Sequence, residues 1–317
     1  MGHSRLKNPL ICVKRILNLG GLYSAHGQWG VGGLEMFEII VGLQHSGEND
    51  LMATKYDVGH DCDDDIIASF FDSIPSSLSS MSYALPENDD TVPLSTQSHE
   101  YRIRLANTEE RQASASILIN RMYEWRGYKH LSSSTSTEPN RITLLAYDND
   151  ADVIGTISVG IDSPLGLYAD SGYHDVLEGL RAQGKVLCEF NRLAMDPQVR
   201  NKRVLASLFH VAYLYPYGLF GCTDGLLEVN PRHARFYEQM LGFAIVGPER
   251  ICPRVNAPSV LLLIDFDELG RRIQEVGGRM DRAVGDRSLF PYLMTARDSE
   301  GILGRLRQMA YDYPSIS

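Results

Sequence analysis

The sequence predicts an α/β (α+β) protein, a mixed sheet flanked by helices, and two observations carry that expectation. From Tyr101 onward, alternating apolar segments take turns with segments of helical period, in the order strand, helix, hairpin, helix, strand, helix, strand, helix, strand. The composition agrees. Across 317 residues, 44% hydrophobic and 22% charged residues with a mean hydropathy of -0.18 argue against wholesale disorder and against a multi-span membrane protein. The apolar run Leu34 to Leu43 is interrupted by Glu35 and Glu38 and falls short of a membrane span.

Each element has a local reason. Tyr101 to Leu105 alternates as a strand, and Asn107 with Glu110 reads as a capping box for a helix whose one face carries Ala115, Leu118, Met122 and Trp125. Ile142 to Tyr147 and Val153 to Ile161 are strand-like runs joined by the turn-prone Asp148-Asn149-Asp150-Ala151. Tyr173 to Gln183 reads as a helix closed by Gly184. Val186 to Met195 is a strand ended by Pro197, and Asn201 to Tyr215 a helix expected to stop at Pro216. Asp224 to Val229 is a strand, Pro231 to Leu241 a helix and Val260 to Phe266 a late strand, followed by a charged helical stretch with Leu269, Ile273, Val276 and Met280 as its apolar stripe.

Residues 1–96 have a different texture: a Gly-rich stretch, an acidic stretch and a Ser/Pro-rich tract without sustained periodicity. Between Glu48 and Asp90 stand eleven acids and one base, Lys55, so that stretch alone accounts for the net charge of -10. The remainder is balanced and can present a basic patch to an acidic partner. The expected organisation is an acidic, partly disordered extension over 1–96 that adds little to the core, a domain of sheet and helices over 97–268, and a helical segment packed on it over 269–317.

Cys12, Cys62, Cys188, Cys222 and Cys252 are odd in number and widely spaced, with no CxxC pair, so free thiols and no metal site are expected. His60 and Cys62 beside Asp63, Asp64 and Asp65 read as a solvated acidic loop. No secretory signal is recognisable, which points to the cytoplasm. No basic run interleaved with aromatics appears, so nucleic acid is not an expected partner.

The segment Glu228-Val229-Asn230-Pro231-Arg232-His233-Ala234-Arg235-Phe236-Tyr237, followed by Leu241-Gly242-Phe243, resembles the last core motif of the GNAT acyltransferase superfamily, with Tyr237 five residues before Gly242 where four are usual. Glu189-Phe190-Asn191-Arg192-Leu193-Ala194-Met195-Asp196 is similar to the corresponding strand of acyl-homoserine lactone synthases. The combination of Arg102 to Tyr128, Asp162 to Asp170, Gly184 to Leu214, Glu228 to Phe243 and Arg254 to Pro258 resembles FeeM-like N-acyl amino acid synthases over about residues 100–265. The resemblance implies a GNAT-like fold, an amino-acid substrate, no permanently bound cofactor, and an acyl-phosphopantetheine donor on acyl carrier protein.

GNAT enzymes carry two glycines where this chain has Arg203 and Leu205; those glycines let backbone N–H groups close on the coenzyme A pyrophosphate. Their absence argues against coenzyme A. The run Arg200, Asn201, Lys202, Arg203 and Val204 suits instead an acidic carrier protein with its single phosphodiester.

Making an amide from a thioester needs a placed amine, a destination for its proton and a stabilised oxyanion and thiolate. Glu189, desolvated between Cys188 and Phe190, is the candidate base; the alternative is a buried carboxylate paired with Arg192 or another base. Strand alternation puts Glu189 and Asn191 on one face and Arg192 on the other. Tyr237 is either a proton donor to the leaving sulfur or a packed core residue beside Phe236 and Phe243, and Asn230 either holds the pantetheine arm or forms the turn before Pro231. Arg192 and Arg254 are candidates for the substrate carboxylate. Leu118, Met122, Trp125 and Tyr128 line an acyl pocket or simply pack the core. The rival readings are a coenzyme A-dependent N-acetyltransferase, an acyl-homoserine lactone synthase and a non-catalytic binding module of the same fold.

Overall fold

A computed structural model describes residues 65–73, 98–125, 138–199, 201–284 and 286–312. The order is β1 (Ile66–Ser73), β2 (Ser98–Leu105), α1 (Glu109–Trp125), β3 (Arg141–Tyr147), β4 (Val153–Ile161), α2 (Asp170–Ala182), β5 (Leu187–Met195), α3 (Lys202–Phe220), β6 (Asp224–Val229), α4 (Pro231–Leu241), β7 (Ala244–Ile245), β8 (Arg250–Cys252), β9 (Ala257–Asp265), α5 (Phe266–Val276), two 3-10 turns at Met280–Val284 and Phe290–Tyr292, and α6 (Ala296–Asp312). The strands form one sheet in the order β1-β2-β3-β4-β5-β6-β9-β7, with β8 paired to β9. Every pairing is antiparallel except β5 with β6. This is the mixed, mostly antiparallel, helix-flanked sheet that the sequence predicts.

The register divides the sheet into two faces. Leu145, Tyr147 and Ala194 pack under α1 through Ala115, Leu118 and Met122, while Leu187, Leu226 and Leu261 pack under α2 through Tyr173, Leu177 and Leu180. Because Arg141, Thr143 and Leu145 lie opposite Gly160, Ser158 and Thr156, and these opposite Glu189, Asn191 and Ala194, α1 and α2 share one face. A polar strip lies between them. The opposite face carries α3, α4 and α5 over Leu144, Ala146, Cys188, Phe190, Leu227, Leu262 and Ile264.

Four expectations change. Ile66–Ser73, within the stretch read as an extension, pairs with β2, and Ile67, Ala68 and Phe70 are buried in the main core. The apolar run from Ile66 to Phe71 is a strand set inside acidic and Ser/Pro-rich sequence, and it hid there. Pro216 does not end α3; it sits in the last turns of a helix that continues to Phe220 and closes on Gly221, at φ 64°, with the Cys222 N–H donating to the Pro216 carbonyl. The start of α1 is capped by Thr108, whose hydroxyl accepts from the Arg111 N–H, while Asn107 receives the Arg111 guanidinium instead. Finally, β5 carries a bulge: Ser158 faces Asn191 and Thr156 faces Ala194, so Arg192 and Leu193 together oppose Ile157, with Arg192 at φ 52°.

His210 on α3 joins the C-terminal elements to the core. Its Nδ1 accepts from the Met294 N–H at 3.0 Å and its Nε2 lies 2.9 Å from the Ser299 hydroxyl, so the ring is held neutral. Burial depresses its pKa from 6.5 to about 4, with Asp298 opposing. A depressed histidine stabilises the fold fully above pH 6.5, and that contribution disappears as pH falls towards 4. The expected loss attributable to His210 is about 3 kcal/mol. Urea unfolding of wild type and His210→Gln at pH 7 and pH 4 should show a steeper loss in wild type; equal losses would contradict this role.

Candidate active site

The polar strip between α1 and α2 is organised by three residues in one cross-strand row. Arg141 on β3 faces Gly160 on β4, which faces Glu189 on β5. Glycine leaves the middle position open, and the Arg141 side chain lies across it to reach Glu189 Oε1 at 3.0 Å. A Cβ at Gly160 would stand 2.5 Å from Arg141 Nη1. Both partners are 5% exposed at the side chain, so the ion pair is buried and depends on every remaining hydrogen bond being made.

They are made. Glu189 Oε1 also accepts from the Tyr168 N–H at 3.0 Å and Asn191 Nδ2 at 3.1 Å, and Oε2 accepts from the Ala169 N–H at 2.9 Å. Glu189 thus anchors the loop that precedes α2. Arg181 pins the same loop at its ends, donating to Asp162 and Asp170 at 2.7 to 2.8 Å. Burial works against ionised Asp170, but the Arg181 hydrogen bonds outweigh it and hold that carboxyl down to about 2.

On this loop the Tyr168 ring is surrounded by guanidinium groups: Arg141 at 3.6 Å, Arg254 at 4.4 Å and Arg192 at 5.8 Å from its centroid. Its hydroxyl donates to Glu138 at 2.8 Å and accepts from Arg192 Nη2 at 3.3 Å. Burial raises the Tyr168 phenol despite the arginines, keeping it protonated. For Glu138, burial pushes upward, yet hydrogen bonds from Tyr168 and Arg141 prevail and the carboxyl lies below its usual range.

The bulge decides where Arg192 goes. Simple alternation would send it to the core face, but the extra residue turns it to the Glu189 face and onto Tyr168. Arg254 is engaged by Glu228 at 3.0 Å, and Glu228 also accepts from the Ser259 hydroxyl at 2.8 Å. Arg192, by contrast, has no carboxylate within ion-pair distance among the described residues. Next to it, Asn191 Oδ1 is buried and accepts no hydrogen bond among the described residues. Beyond Phe190 and Leu227 the parallel pairing of β5 with β6 ends, and both strands continue apart, β5 along β4 and β6 along β9.

The other expected site residues lie elsewhere. Tyr237 is buried on the opposite face among Phe209, Phe236 and Phe243, as in its packing alternative, and is not brought together with Glu189. Asn230 caps α4, accepting from the Arg232 N–H at 3.3 Å, and its amide donates to the Pro258 carbonyl. Asn201 caps α3 by accepting from the Arg203 N–H at 2.8 Å, and Val204 is fully buried. Lys202 lies 5.5 Å from the Tyr292 ring centroid; burial lowers its amine, with Asp286 opposing. Arg203 donates to the Phe71 carbonyl at 2.8 Å and covers the Phe70 ring. Arg200, Tyr128 and the Trp125 side chain lie outside the described residues, and Leu118 and Met122 pack in the core under α1. Sequence reading missed Arg141, Tyr168 and Gly160. A glycine inside the strand Val153 to Ile161 was the available signal, because it marks a close approach.

With this geometry in hand, comparison with known families finds a match over part of the chain: residues 114–265, just under half of it, match the model described as N-acyl amino acid synthase FeeM. That region is FeeM-like. The matched region contains Arg141, Gly160, Tyr168, Glu189, Asn191, Arg192 and Arg254. Among solved structures, FeeM, an N-acyl amino acid synthase from uncultured soil microbes, is 27% identical over 53% of this chain and 92% of its own length, with a TM-score of 0.49. An N-acetyltransferase from Staphylococcus aureus Mu50 is 13% identical over 53% and 98%, with a TM-score of 0.38, and Escherichia coli ElaA 10% over 53% and 99%, with 0.40. No curated protein matches the chain. No helix among the described residues is long and apolar enough to cross a membrane.

The FeeM-like region therefore depends on the open position at residue 160. Valine ordinarily favours a strand by up to about 1 kcal/mol, but here its side chain would displace Arg141 and leave Glu189 unpaired in a buried site. Gly160→Val should cost about 3–5 kcal/mol in urea unfolding; a cost under about 1 kcal/mol, within that ordinary preference, would refute the geometry.

Proposed function

We propose that this chain is an N-acyl amino acid synthase that takes a fatty acyl group from acyl carrier protein and joins it to the α-amine of an amino acid. The observation that carries the reading is the pair Asn191 and Arg192. An α-amino acid presents a carboxylate and an amine on one carbon. Arg192 offers a guanidinium without a carboxylate partner among the described residues, and the adjacent Asn191 offers an acceptor without a donor. A carboxylate on Arg192 and an amine N–H on Asn191 Oδ1 would satisfy both.

In this reading the amine nitrogen attacks the thioester carbon, a C–N bond forms, the C–S bond breaks, and the amine proton ends on the departing sulfur as the free carrier thiol. Glu189 acts as a positioning residue, since its two oxygens already hold four donors. The widening gap between β5 and β6 is the route proposed for the phosphopantetheine arm. Support for a carrier protein over coenzyme A comes from Arg203 and Leu205, which stand where GNAT enzymes carry the glycines that let backbone amides close on a pyrophosphate, and from the Asn201 cap, which already occupies one amide at the start of α3.

Purified protein incubated with acyl carrier thioesters, acyl-coenzyme A and an amino-acid panel should release an N-acyl amino acid and free carrier thiol, read by mass. Arg192→Gln should raise KM for the amino acid by at least about tenfold with a much smaller change in kcat. Absence of any N-acyl product, or an unchanged KM in the variant, would contradict the assignment.

A further inference from the structure

A cavity of about 400 Å³ lies away from the polar strip, between β1, the start of α3, the 3-10 turns and α6. Of its lining residues only Arg203 falls inside the FeeM-like region 114–265. The cavity is therefore built by the strand and the C-terminal elements that this chain adds outside that region. Phe70, Met280, Leu293 and Ile302 give it apolar walls.

Its charge is one-sided. Arg203, Arg297 and Arg305 line it, and none has a carboxylate partner among the described residues. Two of them are fixed by carbonyls of β1: Arg305 Nε donates to the Ile67 carbonyl at 2.6 Å and Arg203 Nη1 to the Phe71 carbonyl at 2.8 Å. The acid on the wall, Asp298, has its Oδ2 turned to the start of α6, where it accepts from the Thr295 N–H at 3.1 Å and hydroxyl at 2.7 Å. Prearranged guanidiniums at one part of a partly open cavity and apolar walls at another are complementary to a ligand with an anionic head and an aliphatic body.

We propose that this cavity is a second ligand site, separate from the reaction site, which binds a long-chain carboxylate with its head on Arg203, Arg297 and Arg305 and its chain against the apolar walls. The inference stands on this cavity alone and does not require the proposed synthase activity.

The probe is laurate, titrated calorimetrically into the full chain below its micelle concentration, with dodecanol standing for the chain and acetate for the head. Laurate should bind, with each half at least about tenfold weaker. Arg297→Glu reverses a charge that makes no hydrogen bond among the described residues, and it should weaken laurate by at least about tenfold. Gly301→Leu keeps the guanidiniums and fills the space; a Cβ there meets nothing closer than Arg305 Nη1 at 3.7 Å, so the melting temperature should hold while laurate binding falls. Laurate affinity unchanged in both variants would overturn the proposal, as would equal binding of dodecanol or acetate. So would a laurate signal abolished by Arg192→Gln alone, which would put the ligand at the reaction site.

Discussion

The FeeM-like part of the molecule rests on one buried ion pair that spans three strands. Arg141 can reach Glu189 only because residue 160, directly between them, has no side chain. Glu189 in turn receives the two backbone N–H groups that fix the loop carrying Tyr168. A buried pair of this kind adds little net stability over an apolar replacement, yet losing one partner is costly. Its value here is geometric: it sets the position of the aromatic ring against which Arg192 and Arg254 pack.

That constraint separates two meanings of a desolvated carboxylate on a central strand. From sequence, Glu189 fitted both a base and a structural partner. With its two oxygens already accepting from Arg141, Asn191 and two amides, it serves the reading proposed here as the anchor of the site. The groups with unmet capacity are Asn191 and Arg192, two and three positions further along the chain, and the bulge at Arg192 is what brings them to the same face.

Most of the fold was legible because burial leaves a period in sequence. The alternation of β2, the hairpin of β3 and β4, and the helical stripes of α3 and α4 needed only local information. Glu189 and Asn191 were assigned to one face correctly for the same reason. What failed was non-local or irregular. The partner of Glu189 lies 48 positions away on β3. The bulge uses an arginine at positive φ, which no glycine or asparagine announces. Strand β1 was hidden by the charge and the Ser/Pro content around it, although Ile67 and Phe70 contribute to the same core as α3 and α6. Pro216 misled because a proline stops a helix only when its missing N–H and its ring are not accommodated in the terminal turns.

The central claim is that Asn191 and Arg192 together recognise an α-amino acid, and a cycle in which the substrate supplies one of the two changes tests it most directly. Values of kcat/KM are measured for an accepted amino acid and for its carboxamide, each with wild type and with Arg192→Gln. If the guanidinium holds the carboxylate, removing either group should abolish most of the benefit of the other, giving a coupling of at least about 1 kcal/mol. Additive losses, within about 0.5 kcal/mol, would show that Arg192 and the carboxylate never meet and would contradict the account.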